Sequence, residues 1–293
     1  MLVGVQLPEV ERPVTWPELR EVARTAEACG LDSIWVGDHL LYRDGGEARG
    51  PREAWTMLAA LAEATERVHL GPLVASVSFH SPAMLAKMAA TVDDISGGRL
   101  ILGLGAGWNR VEYDAFGFPF DHRVDRFEEA FTIIRKLIRE GAVDFEGRYH
   151  TVRESELIPR PRPDIPLMVG SNGDRMLRIT LPFVDAWNTW HTDYRNDPSR
   201  IGPLLEKVDS VCAEVGRDPA GVTRTAALYV QAPGGKGRRA GSSERPVVDP
   251  VPVAALGEAL STLEARGIGH VMVVLDPIDA PSVEALARAL GRI

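Results

Sequence analysis

Asp38 and His39 stand side by side at the end of an apolar run, Trp35-Val36-Gly37-Asp38-His39-Leu40. An imidazole changes charge near neutral pH and can give or take a proton in a reaction. A carboxylate next to it can orient and polarise the ring, or the two can simply close a turn by hydrogen bonding. Three further stretches combine glycine, polar and aromatic residues. Gly103-Leu104-Gly105-Ala106-Gly107-Trp108 leaves the backbone open to a flat ring or a phosphate. Gly105, Ala106 and Gly107 are the candidate ligand-lining positions, with Trp108 as a wall, and the alternative is a tight corner. Gly170-Ser171-Asn172-Gly173 opens a helix, where free N–H groups and the positive end of the helix dipole suit a phosphate, with Arg175 as added charge. Ser171 or Asn172 can equally be an ordinary cap there. Trp187, Trp190 and His191 can line a substrate pocket or pack a strand end.

These segments need a frame to bring them together. Short β-branched runs alternate with helical-period segments along the chain. Strands are expected near 2–7, 32–37, 68–75, 99–105, 166–170, 184–189, 222–230 and 269–275. Helices are expected near 15–29, 53–65, 82–95, 123–140, 172–182, 198–215, 252–266 and 281–291. Such strand–helix alternation predicts an α/β fold with a parallel sheet closed into a (β/α)8 TIM barrel. In that architecture the C-terminal ends of the strands carry the chemistry, and every candidate above lies at one. The expectation is a single barrel domain over residues 1–293, with an insertion after the fourth helix at about 141–165 acting as a lid over the mouth. The Gly-, Pro-, Arg- and Ser-rich stretch 232–250 is expected to be flexible at the same face, with Lys236, Arg238 and Arg239 as a solvated or anion-meeting loop.

Composition narrows the partners. A net charge of −8 disfavours nucleic acid and anionic membrane surfaces. No apolar stretch reaches the roughly 18 residues of a membrane span, and no secretory leader precedes the first strand, so a cytoplasmic location is expected. Cys29 and Cys212 are far apart and have neither redox nor metal spacing. The histidines are scattered without a metal-ligand pattern, so no metal site is expected. No G-x-S-x-G elbow marks a serine nucleophile. The G-x-G-x-G run also lacks the position and acidic partner of a dinucleotide fingerprint.

Together these residues resemble the luciferase-like monooxygenase superfamily, and within it the coenzyme F420-dependent oxidoreductases. The matching pieces are Trp35 to His39, Thr65 to Gly71, Pro82 to Lys87, Ala90 to Arg99, Leu102 to Trp108, Glu112-Tyr113, Phe116-Gly117 and Pro166 to Gly173. The likeness is densest from 31 to 140 and thins after 195.

The resemblance implies a ring system, F420 or alternatively FMN, stacked at the barrel mouth on a non-proline cis peptide, which falls at Leu73–Val74. It places Asp38 at the cofactor, His39 in proton transfer, and the cofactor phosphate near Gly170 to Gly173. It implies hydride exchange with a small organic substrate. The alternatives are a reduced-flavin monooxygenase served by a separate reductase, and a non-catalytic cofactor-binding protein. A homodimer is common in the family. Sugar-phosphate dehydrogenases of the family carry a catalytic Glu where Trp108 stands, which argues against a sugar-phosphate substrate.

Overall fold

The computed structural model describes residues 1–44, 47–236, 240–242 and 245–293. Its frame is eight strands: β1 Leu2–Gln6, β2 Ser33–Val36, β3 His69–Pro72, β4 Leu102–Gly105, β5 Leu167–Gly170, β6 Ala186–Thr189, β7 Thr223–Gln231 and β8 Ile268–Asp276. The helices that follow them are α1 Trp16–Ala28, α2 Ala54–Ala64, α3 Pro82–Ile95, α4 Arg123–Glu140, α5 Asp174–Thr180, α6 Gly202–Glu214, α7 Leu256–Ala265 and α8 Ala280–Ala289. Each expected element is present, and the frame strands pair in parallel.

Closure occurs at the third strand. β3 pairs with β2, while its continuation Ala75–Ser76 pairs with β4. Between the two halves lies the Leu73–Val74 peptide, which is cis. The two ends of the sheet are thus one strand, and the ring of strands is complete.

Alternation sorts side chains between two cores. Val3, Val5, Ile34, Leu70, Leu104, Val169 and Trp187 belong to the large layer between sheet and helices. Trp35, Met168, Ala186 and Met272 form a second cluster. Met168 and Ala186 are register partners on neighbouring strands, while Trp35 on β2 and Met272 on β8 come from elsewhere in the ring, so the cluster meets across the barrel interior. Below them Trp35 Nε1 donates to Ser33 Oγ at 2.7 Å, and Ser33 Oγ lies 2.8 Å from His270 Nε2.

Several resembling pieces turn out to brace the N-terminal face. Arg99 donates to the carbonyls of Ala62, Thr65, Val68 and Ser96 and to Thr65 Oγ1. It thereby satisfies carbonyls at the ends of α2 and α3 that have no intrahelical partner. Arg162 makes a two-point bond to buried Asp93 at 2.8 and 3.1 Å, and donates to Gly98 O at 2.9 Å.

That last clamp corrects the expected lid. The insertion is an antiparallel hairpin, Ala142–Glu146 with Thr151–Glu156. It leaves from the C-terminus of a helix, which lies at the opposite end of the barrel from the mouth. It climbs the flank of α4, where Glu129 accepts from the backbone of Arg148, Tyr149 and His150 at 2.8 Å each. The segment after β7 carries a short antiparallel pair, Ala240–Ser242 with Arg245–Val248, and Asn196 holds its far end through Asp249 O at 2.9 Å. Arg238 and Arg239 lie outside the described residues. Among the described residues no helix is long and apolar enough to cross a membrane.

His270 is 5% exposed, and burial drives its pKa down to about 4, against a weaker upward pull from Asp32. The native state therefore holds it neutral, and the unfolded chain takes up a proton below about 6.5. This contribution to stability is complete above that pH and is lost as pH falls towards 4, amounting to about 3 kcal/mol. Urea unfolding of the natural chain and of His270→Gln should show a stability gap that shrinks from pH 7 to pH 4. A gap independent of pH would contradict the buried neutral imidazole.

Candidate active site

The turn after β2 carries Gly37-Asp38-His39. Neighbouring residues at a strand end point to opposite sides, and here they find different partners. Asp38, 2% exposed, accepts from Ser76 N at 2.8 Å and lies 3.0 Å from His80 Nε2. The expected Asp38–His39 pair does not form. His39 instead turns its Nδ1 to both oxygens of Glu112, at 3.1 and 3.0 Å.

Glu112 is completely buried. It lies in the first turn of the short helix Arg110–Phe116, which follows β4. Besides His39 it accepts from Leu40 N at 2.5 Å and Leu41 N at 3.2 Å. Asn109 Nδ2 donates to Leu41 O at 3.0 Å. Two backbone N–H groups, an imidazole and an amide thus join the end of strand β2 to the segment after β4.

Burial alone would lower the His39 pKa. The Glu112 hydrogen bond, with the charges of Glu9, Glu112 and Asp38, outweighs burial and raises it. The other nitrogen, Nε2, has no hydrogen-bond partner among the described residues. Aromatic rings surround the imidazole: Tyr42 at 4.8 Å and Trp108 at 5.7 Å between centroids, with Tyr42 and Trp108 6.5 Å apart. Burial and the Glu9 carboxylate push the Tyr42 hydroxyl well above the ordinary phenol range, so it remains a donor.

Leu73 and Val74 are half-buried at this mouth. A Cβ on Gly103, Gly105 or Gly170 would come within 2.8, 2.7 or 2.9 Å of Val74. These glycines therefore make room for Val74, which stands as an apolar step in the mouth. Gly105 and Gly170 thus accommodate the Val74 side chain. The carbonyl of Ala106 is taken by Tyr113 Oη at 2.8 Å and Ser78 Oγ at 3.2 Å, and that of Gly107 by Arg123 at 2.9 Å. Beside the step, Ser76 Oγ is buried and has no partner among the described residues. A half-exposed apolar step next to an orphaned hydroxyl fits a flat heteroaromatic ring with polar edges.

The turn after β5 is occupied by internal bonds. Asn172 Nδ2 donates to Thr189 Oγ1 at 3.1 Å and to Asp193 at 2.8 Å, and Ser171 Oγ accepts from Gly173 N at 3.3 Å. Arg175 supplies no charge here, because it pairs with Asp125 at 2.5 Å and Glu128 at 2.9 Å on α4. The cation at the turn is Lys207 of α6, 3.0 Å from Asp174 and 3.3 Å from Asn172 O.

The aromatic cluster after β6 also differs from expectation. Trp187 has no exposed surface and faces the helices, with its Nε1 donating to Ser171 O at 2.9 Å. It supports the turn and lines no pocket. The inward residue of that strand end is Asn188, which donates to Thr225 Oγ1 at 2.8 Å. His191 is buried and stacks on Tyr229 with centroids 5.4 Å apart, while half-buried Trp190 lies 4.6 Å from His191. Among the described residues no group of His, Cys, Asp and Glu is gathered to hold a metal ion.

Comparison with known proteins adds to this geometry. A family model described as luciferase-like monooxygenase matches residues 1–233. The chain is 31% identical over 202 residues to the 5,10-methylenetetrahydromethanopterin reductase of Archaeoglobus fulgidus, covering 68% of this chain and 56% of that one. It is 34% identical over 170 residues to the pyrimidine monooxygenase RutA of Methylobacterium radiotolerans, covering 56% and 44%. The match spans about half the length of these curated relatives. A solved F420-dependent secondary alcohol dehydrogenase, in complex with an F420–acetone adduct, shares the fold with a TM-score of 0.82 at 20% identity, over 99% of this chain and 98% of that one.

If Glu112 holds the proton on His39, Glu112→Gln should make His39 titrate at lower pH, followed by the Cε1 proton resonance. An unmoved His39 in the Glu112 variant would contradict the pairing.

Proposed function

Because the chain belongs to the luciferase-like monooxygenase family, we propose that it is an oxidoreductase that binds coenzyme F420 at the barrel mouth and acts on a small organic substrate. When bound, the deazaflavin supplies a hydride donor or acceptor at C5. The observation that carries the reading is His39, anchored through Nδ1 by Glu112 and open at Nε2, beside the Leu73–Val74 step.

In this reading the step and Ser76 receive the ring, and Asp38 holds Ser76 N and His80 in place beneath it. Gly170 to Gly173 with Lys207 receive the phosphate, after Lys207 releases Asp174. Nε2 of His39 gives a proton to the substrate, or takes one, as the hydride moves. Glu112 fixes which nitrogen is free and stabilises the charged ring. Tyr42 and Trp108 shape a pocket with apolar faces around the reacting carbon, whereas Trp190 and His191 lie deeper in the wall.

The relative RutA motivates a second reading, a reduced-flavin monooxygenase with a separate reductase. The same mouth would receive FMN in that case, and turnover would consume oxygen.

His39→Ala should lower F420-linked turnover by about 10²–10⁴, with cofactor affinity little changed. Screening a panel of ketones, imines and enoates with reduced F420, while recording oxygen uptake, makes the comparison. Unchanged turnover in the variant would remove His39 from the reaction. Oxygen-dependent turnover with reduced FMN alone would favour the second reading.

A further inference from the structure

The wall of the mouth formed by β1 has a feature that neither proton transfer by His39 nor the ring floor uses. Gln6, the last residue of β1, is 4% exposed. By alternation with Gly4 it points into the barrel, in register with Trp35 of β2. Its Nε2 donates to Glu9 Oε2 at 3.0 Å, and its Oε1 has no partner among the described residues. With the carboxylate ionised, the amide nitrogen must face Glu9, since the flipped amide would set two acceptors together. The orphan is therefore an acceptor.

Glu9 is itself held open. Its other oxygen accepts from Tyr42 Oη at 2.9 Å, and its backbone N–H donates to Glu11 Oε2 at 2.9 Å. Each carboxylate oxygen thus has one protein donor and a lone pair to spare. Glu9 leans over the bare Cα of Gly37, where a Cβ would come within 2.6 Å of its carboxylate. The glycine of Gly37-Asp38-His39 leaves that space to the Glu9 carboxylate. Tyr42 in turn lies tilted against His39, with ring centroids 4.8 Å apart. Burial raises the Glu9 pKa and His39 opposes that rise, so the two groups sense each other across the pocket.

A buried acceptor left without a donor is unfavourable, and an apolar side chain would remove that penalty. We propose that Gln6 Oε1 and Glu9 form a substrate-selecting site that receives an N–H or O–H donor next to the reacting carbon. The substrates it favours are neutral molecules such as amides, amines or hydroxy compounds, with their apolar face against Tyr42 and Trp108. What happens to the bound molecule rests on the function proposed above, whereas the selection itself does not.

Benzamide and acetophenone have similar shapes and a common carbonyl acceptor, and only benzamide carries N–H donors. Ligand-observed NMR titration of the purified chain with each, in the absence of F420, measures the selection alone and stands or falls independently of the cofactor reading. Benzamide should bind about tenfold more tightly, the ratio given by one satisfied hydrogen bond. In Gln6→Met the ratio should fall below about twofold, with thermal unfolding confirming that the variant folds. Gln6→Asn, which withdraws the acceptor by one methylene group, should lose the preference as well and serves if the Met variant fails to fold. Equal binding of the two probes by the natural chain, or a preference that survives both substitutions, would overturn the proposal.

Discussion

A carboxylate without exposed surface has to find donors inside the protein, and Glu112 finds three: the Nδ1 of His39 and the amides of Leu40 and Leu41. A buried charge without such partners would be expelled or protonated. The constraint works in both directions. Glu112 can stay buried only if the turn after β2 wraps around it, and that turn can hold its shape only if the segment after β4 brings Glu112 in. His39 has no freedom left except at Nε2. The turn after β2 and the segment after β4 are locked together because one buried carboxylate needs that many donors around it.

The Val74 step has a similar logic. Its branches occupy the room above Gly103, Gly105 and Gly170, so the third strand closes the barrel and raises an apolar surface in its mouth at one place. Below it, Trp35 and the two methionines fill the interior, with the neutral His270 beneath them. The Val74 step therefore stands on a packed plug.

Much of this was legible in the residues. Apolar runs and helical periods located the eight strands and helices of the frame, because alternating burial is written locally. The resemblance located the cis peptide at Leu73–Val74. Some errors arise because contacts between distant residues leave no local trace, and others from side-chain parity and loop position. Glu112 lies 73 residues from His39, and nothing near either of them announces the other. Asp38 and His39 are adjacent in the chain, and adjacency at a strand end separates side chains rather than pairing them. Trp187 was misplaced by one residue of parity, the smallest step that turns a side chain from the mouth to the helices. The insertion after the fourth helix is where it was expected, but its expected lid role is not met, because a loop after a helix starts at the far end of the barrel. Arg175 looked available only while Asp125 and Glu128 were unseen.

The proposed binding of a deazaflavin at this mouth is tested most directly by a pair of binding titrations. The purified chain would be titrated with F420 and, in parallel, with FMN, with fluorescence as the readout. The account predicts micromolar or tighter binding of F420 and much weaker binding of FMN. A preference for FMN, or no binding of F420, would contradict it.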